Sequence, residues 1–195
     1  NKDVHQFAFK SFFTRFYIGN YHPLTMLSYA IDWKLFGKHA VGYHIENIVW
    51  HFLNTILVFY LGKRIQLKPL QALVLAFVFA FHPLQIESVA WVAERKNLLY
   101  AFFFLLSLLF YIQYKNTQST KQLLFVYLCF IGSLLAKPSA VVLPLVFILI
   151  DVFLFKESFK QFYKRHILLL ILSLALGIVT VFAQEEAKFL MNTHN

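Results

Sequence analysis

Long apolar runs separated by short polar links set the pattern of this chain. Six runs stand out, at residues 42–62, 70–91, 97–114, 121–136, 138–155 and 165–182. A helix crossing a bilayer needs about 17–25 mainly apolar residues, and each run meets or approaches that length. The fourth and fifth are short, so they are either little tilted or joined by a re-entrant turn. Inside the first run, His44, Asn47, His51 and Asn54 follow spacings of three, four and three, which puts all four on one helix face. Pro83 interrupts the second run two-thirds of the way along. Residues 1–41 read differently, because charges are scattered through them. Between Pro23, suited to a first helical turn, and Gly37, suited to an end, Leu24, Leu27, Ala30, Ile31 and Leu35 recur at helical spacing. Asp32 and Lys34 fall off that face, as in a short amphipathic helix lying in the membrane interface.

The expected fold class is therefore an all-α membrane protein, a polytopic helical bundle of about six spans plus an N-terminal interfacial helix. Residues 1–41 form an outer loop, 42–183 the transmembrane helical domain and 184–195 the start of another outer loop. Composition agrees. Of 195 residues, 59% are hydrophobic and 14% charged, against about 25% charged in soluble domains. The net charge of +9 belongs to basic loops rather than to a nucleic-acid surface. Lys63, Arg64, Lys68, Lys115, Lys121, Lys156, Lys160, Lys164 and Arg165 would share one side with a single acid, Glu157. That side is cytoplasmic by the positive-inside rule, so the remaining links face out. Cys129 has no partner for a disulfide. The chain opens without Met and without a signal peptide, and reads as a piece of a longer protein.

Candidate chemistry collects on the outer side. The link His82-Pro-Leu-Gln-Ile-Glu-Ser-Val-Ala-Trp-Val-Ala-Glu-Arg-Lys96 carries five ionisable groups between two membrane-like runs, and such groups mark a site by default. If Pro83 starts a new helical segment, Glu87, Trp91 and Arg95 stack on one face; the plain alternative is an ion network that pins a turn. Arg95 and Lys96 open the next span and Asn97 can cap it, an arrangement that attracts phosphate. Lys137, held before Pro138, is a second phosphate candidate, and lipid headgroups are the competing partner for both lysines. His22, His44, Asn47, His82, Glu87 and Glu94 are candidate polar pocket residues, while His51 and Asn54 lie deeper and suit helix–helix hydrogen bonding. The stripe histidines with Glu87 would suffice for a metal ion, but no spacing holds them together; no metal ligands are assigned, and a divalent ion stays open. Gly-rich phosphate loops, His-Glu-x-x-His, nucleophile elbows and paired cysteines are absent.

Four motifs carry a resemblance: Tyr21-His-Pro-Leu-Thr25, Gly42-Tyr-His-x-x-Asn47-x-x-x-His51, the block from His82 to Leu99, and Ala136-Lys-Pro138. Together they resemble the membrane half of bacterial tetratricopeptide-repeat membrane proteins, which are similar to the animal transmembrane-and-tetratricopeptide O-mannosyltransferases. The resemblance implies a GT-C glycosyltransferase fold, a polyprenyl-phosphate sugar as donor, a protein hydroxyl as acceptor and a site facing the periplasm of a bacterial inner membrane. It places Arg95 and Lys137 at positions that contact donor phosphate, with Lys96 beside them, and His22 in a loop motif near the substrates. It also places the catalytic acids, a first span and the soluble repeats outside this sequence. Many members have Asp where Asn97 stands, and some have Glu at Pro138. The implied partners are a lipid-linked sugar, an acceptor protein, membrane lipids and further membrane subunits, with no nucleic acid. A non-catalytic scaffold on the same body and a transporter lined by the helix broken at Pro83 are the competing readings.

Overall fold

The computed structural model describes residues 2–17, 19–157 and 159–193, with side chains described in the last helix only over 167–185. The described residues form helices and connecting turns. A small N-terminal module holds α1 (Lys2–His5), α2 (Phe9–Thr14) and α3 (Pro23–Phe36), closed around Phe12, Tyr17, Met26 and Ala30. The membrane body follows: α4 (Ala40–Arg64), α5 (Pro69–Phe81), α6 (Leu84–Ala90), α7 (Arg95–Thr117), α8 (Thr120–Ala136), α9 (Leu143–Phe153) and α10 (Phe159–Thr193). Short 3₁₀ turns at Val92–Glu94 and Pro138–Val142 lead into α7 and α9.

Among the described residues, three helical stretches are long and apolar enough to cross a bilayer: Ala40–Arg64, Val92–Thr117 and Ile167–Glu185. Pro69–Phe81 and Leu84–Ala90 qualify together, as one broken span or a re-entrant loop bent by 61°. Thr120–Ala136 and Pro138–Phe153 are apolar but shorter. Six runs thus yield three such stretches, or four with the bent pair. The difference arises where Pro83 and Pro138 stop regular hydrogen bonding.

The helix α7 is the central post, packing along α8, α4 and α9. Tyr111, Phe130, Leu143 and Phe147 are buried in the main core. Helices α4 and α5 approach closely at Gly62, where an added Cβ would sit 3.1 Å from the Ala72 Cβ. At the end of α3, Gly37 adopts φ +56°, a conformation few side chains allow.

Polar side chains link the broken elements by donating hydrogen bonds to carbonyls that the breaks leave free. A helix end orphans its last carbonyls. The Asn47 amide, on α4, donates to the carbonyls of Val89 (3.2 Å) and Trp91 (3.4 Å) at the end of α6. His51 Nε2 lies 3.0 Å from the Ala80 carbonyl at the end of α5. Thr25 donates to the Ala136 carbonyl at the end of α8 (3.0 Å), and Tyr29 to that of Val92 (2.7 Å). Asn54 reaches across to the Leu98 carbonyl of α7 (3.0 Å). The stripe on α4 therefore points into the bundle through Asn47, His51 and Asn54, whereas His44 is exposed.

Two expectations change here. Backbone dihedrals of −95° and 112° at Trp91 interrupt the helix between Glu87 and Arg95, so these residues do not stack on one face. Glu87 is exposed and Arg95 fully buried. Asp32 is fully buried as well; the polar face of α3 packs inward at that point, because a cation waits there.

Candidate functional site

Burying a guanidinium requires acceptors for its fixed fork of N–H groups. Arg95 Nη1 pairs with Asp32 and with Glu46 (3.2 Å), and Nε donates to Asn47 Oδ1 at 2.9 Å. Nη2 donates to the Tyr43 carbonyl at 3.0 Å, and the cation lies 5.2 Å from the Tyr29 ring centre. Arg95 and Asp32 side chains are 0% exposed and Glu46 27%. Trp50 donates to the other Glu46 oxygen at 3.0 Å. Burial first, and then the Glu46 hydrogen bond, raise the Asp32 pKa above the usual carboxylate range, while the Arg95 charge pulls against them. Arg95 is thus committed to carboxylates of α3 and α4. In this geometry the guanidinium ties the start of α7 to α3 and α4.

Its neighbour turns the other way. Lys96 lines a cavity of about 620 Å³ enclosed by the N-terminal module, the start of α4 and the 91–96 segment. His22, Tyr29, Trp33, Tyr43 and Trp91 supply much of the wall, and among the described residues no carboxylate lines it. His5 stacks on Trp33 with ring centres 3.8 Å apart. Lys96 pairs with Glu94 at 2.9 Å. Glu94 also accepts from the Asn97 amide (2.7 Å), which donates to Ser88 (3.2 Å) as well. The Asn97 carbonyl oxygen accepts from Lys137 at 2.5 Å. Lys137 in turn lines a second cleft of about 320 Å³ between the Pro138–Val142 turn and α10. Glu94, Lys96, Asn97 and Lys137 thus form a polar ridge between two hollows that share Asn20 on their walls.

Asn97 does not cap α7, whose first residue is Arg95; its side chain ties the ridge together. Burial, with Lys96 acting in the same direction, lowers the Lys137 pKa, and Glu94 opposes them. His82 and Glu87 are exposed and line neither hollow. His82 Nδ1 accepts the Leu84 N–H (3.2 Å), capping α6, and shares a separate cavity of about 330 Å³ with His51. Among the described residues, no three His, Cys, Asp or Glu side chains converge as metal ligands.

Sequence reasoning passed over Asp32 and Glu46. Glu46 carried a usable signal, since it is the acid inside the first apolar run, where an ionisable group asks for a partner. Asp32 carried none, because an acid on the polar face of an interfacial helix is ordinary.

His22 precedes α3 and has a buried Nδ1 without a hydrogen-bond partner. Burial first, and then the Lys96 charge, push its pKa down to about 4. It is therefore neutral in the folded protein near pH 7, whereas in the unfolded chain it takes a proton near pH 6.5. Between those values the unfolded state binds more protons, so stability should fall as pH drops from about 6.5 towards 4. Thermal unfolding in detergent across that range should show a flatter pH dependence for His22→Gln than for the parent; identical slopes would remove His22 as the cause.

Comparison with known proteins places this geometry in a family. The profile described as "Dolichyl-phosphate-mannose-protein mannosyltransferase" matches residues 22–183, from His22 at the cavity wall to the buried Ala183 of α10. The protein O-mannosyl-transferase F38B6.6 of Caenorhabditis elegans is 30% identical over 87% of this chain and 24% of its own length. Mouse protein O-mannosyl-transferase TMTC2 is 31% identical over 80% of the chain and 20% of its length. Mouse TMTC4, also a protein O-mannosyl-transferase, is 41% identical over 50% of the chain and 15% of its length. The chain thus spans between about a seventh and a quarter of these relatives. No solved structure matches it. An integral-membrane helical body, matched from the N-cap of α3 through most of α10, belongs to the dolichyl-phosphate-mannose-protein mannosyltransferase family.

Proposed function

We propose that this protein is the membrane part of a glycosyltransferase that moves a sugar, mannose in the first instance, from a polyprenyl-phosphate donor to a protein hydroxyl on the outer side of the membrane. The ridge carries the reading. Lys96 and Lys137 are linked through Glu94 and Asn97 at the meeting of an aromatic cavity and a cleft beside α10. A lipid-linked sugar has three parts to accommodate: an apolar tail, an anionic phosphate and a polar ring with apolar faces. The cavity wall of tyrosines and tryptophans suits the ring, and the lysines suit the phosphate.

When the glycosidic bond to phosphate breaks, negative charge grows on the leaving phosphate. Ammonium groups already in place stabilise that charge without reorganising. Asn97 matters to this balance. An Asp at that position would pair directly with Lys137, whereas the amide oxygen orients the ammonium and leaves its charge for the ligand. His22 stays neutral and is a weak base, so it serves as a hydrogen-bonding wall group. The general base that takes the hydroxyl proton is assigned, by resemblance, to an acid in a segment preceding Asn1. Arg95 fixes the path of residues 91–95 and so sets where Lys96 points. A bacterial inner membrane, a periplasmic site and soluble tetratricopeptide repeats complete the proposal, on the same resemblance.

The test is transfer by the full-length protein in liposomes holding polyprenyl-phosphate mannose, with an acceptor protein added. Lys96→Ala and Lys137→Ala should each lower the transfer rate about a hundredfold, the range seen when a preorganised charge-stabilising group is removed. Lys137→Arg should recover part of the loss. A folded double alanine variant transferring at the parent rate would refute the reading.

A further inference from the structure

We propose that the bundle end where α4 and α9 finish seats one anionic phospholipid of the surrounding membrane, with an acyl chain in the groove between them and the phosphate on Arg64 and Lys156 beside it. This goes beyond the transfer reading and does not depend on it. The groove holds about 290 Å³, at the end of α4 away from the ridge. Its lining is Ile65, Val146, Leu149, Ile150, Phe153 and Leu154, without a polar side chain among them. The five that belong to α9 and the residue after it recur at spacings of three and one, so they form one stripe. Asp151 points away from that stripe into the bundle, where it holds Lys115 and accepts from Tyr111. Leu149 and Phe153 are 53% and 78% exposed and Ile65 40%, so the helices leave the stripe for something apolar outside them.

Charge decides which apolar partner fits. Arg64 precedes Ile65 and Lys156 follows Leu154 by two residues, so a cation borders the groove at each wall. Lys63 and Lys68 flank the same turn. All four are exposed, and none makes an ion pair among the described residues. The two described acids at this end are occupied, because Lys115 holds both Asp151 and Glu157. Glu157 is thereby turned away from Lys156, its neighbour in sequence. Lys156 also sits at φ +54°, a left-handed conformation that glycine adopts freely and lysine does not. Backbone bonds close that turn, from the Phe155 N–H to the Ile150 carbonyl (3.3 Å) and from the Glu157 N–H to the Asp151 carbonyl (2.9 Å). Glycine would make the same turn with less strain, so what lysine adds there is charge. An apolar groove alone would accept any lipid tail, and cations alone any anion. Together they match an anion joined to a hydrocarbon, and the Arg64 fork suits phosphate.

Binding to the full-length protein in detergent tests this. The probes are fluorescent phosphatidylglycerol, phosphatidylcholine with the same chains, and free glycerol phosphate. Phosphatidylglycerol should bind about tenfold more tightly than phosphatidylcholine. Arg64→Ala with Lys156→Ala should weaken it about thirtyfold, or about 2 kcal/mol, at about 1 kcal/mol for each cation near an anionic surface. Lys2→Ala with Lys10→Ala removes the same charge from exposed positions of the N-terminal module and should change little. Leu149→Trp fills the groove and should weaken phosphatidylglycerol about tenfold while leaving glycerol phosphate unaffected. Ile65→Trp fills it from the opposite wall and should do the same, which guards against a folding defect in one variant. Equal affinity of the parent for the two lipids would overturn the proposal. Equal losses in the two charge-removing pairs would mark a general surface-charge effect and would overturn it too. Unchanged phosphatidylglycerol affinity in both tryptophan variants would remove the groove as the acyl seat. A parent that runs as a dimer and turns monomeric in both tryptophan variants, with its lipid preference intact, would give the groove to a second copy instead. None of these outcomes bears on the lysine test of transfer.

Discussion

Replacing Arg95 by Ala should destabilise the folded protein by about 3 kcal/mol, seen as a lower unfolding temperature in detergent and a smaller folded yield. Removing one member of a buried ion network typically costs about 3–5 kcal/mol, because the remaining charge stays buried without a partner. Asp32 is fully buried and Glu46 mostly so, and Asn47 and the Tyr43 carbonyl would lose donors as well. The lower end of the range is expected because Asp32 can take up a proton when the guanidinium is gone. That uptake gives the variant a signature. A carboxyl whose folded pKa lies above its unfolded value contributes stability at low pH that is lost as pH rises. The deficit of Arg95→Ala relative to the parent should therefore be smaller at pH 5 than at pH 8. A deficit independent of pH would mean that Asp32 stays ionised. Arg95→Lys should rescue little, since an ammonium cannot present the planar fork that reaches Asp32, Glu46, Asn47 and Tyr43 together. Transfer would fall too, but through a shifted 91–95 segment. Per folded molecule the loss should be smaller than for Lys137→Ala.

The second large effect is expected at the other end of α7. Lys115 pairs with Asp151 at 2.8 Å and with Glu157, and Tyr111 donates to Asp151 at 2.7 Å. The Lys115 and Asp151 side chains are each about 1% exposed. Lys115→Met should cost about 3–5 kcal/mol by the same argument of an orphaned buried charge. Pairing it with Asp151→Asn should recover much of that loss, because the charge left unpaired is then removed. A double variant no more stable than Lys115→Met would count against the ion pair as the cause. Twenty residues of helix separate Lys115 from Arg95, about 30 Å. Transfer per folded molecule should therefore be unchanged in the Lys115 variants, which separates a fold anchor from a site residue. The two networks share a design: one cation on α7 held by two carboxylates from distant parts of the chain, one at each end of the central post.

Much of this molecule is legible from the order of its residues. Apolar runs long enough to span a bilayer give helices, because no other unclosed structure satisfies its backbone in lipid. Pro23 and Gly37 bound α3, and Pro83 breaks the second run, as their backbone chemistry requires. Lys96 and Lys137, which come from two separate links in the sequence, are joined in the fold through Glu94 and Asn97.

What sequence could not supply was the direction of each side chain. Arg95 and Lys96 are adjacent at the start of α7, where consecutive side chains diverge by about 100°, and the packing of α3 and α4 leaves one facing two carboxylates and the other a cavity. Asp32 and Glu46 lie 63 and 49 positions before Arg95 along the chain. Their meeting depends on how α3, α4 and α7 pack, which no local pattern encodes. Spans and breaks follow from each segment's own hydrogen bonding and hydrophobicity. Pairings between segments follow from the relative rotation of helices, a property of the assembled bundle. For that reason the amino-acid order determined which residues carry charge within the membrane-like body, and the tertiary structure alone decided which charges are buried in ion networks and which line a cavity.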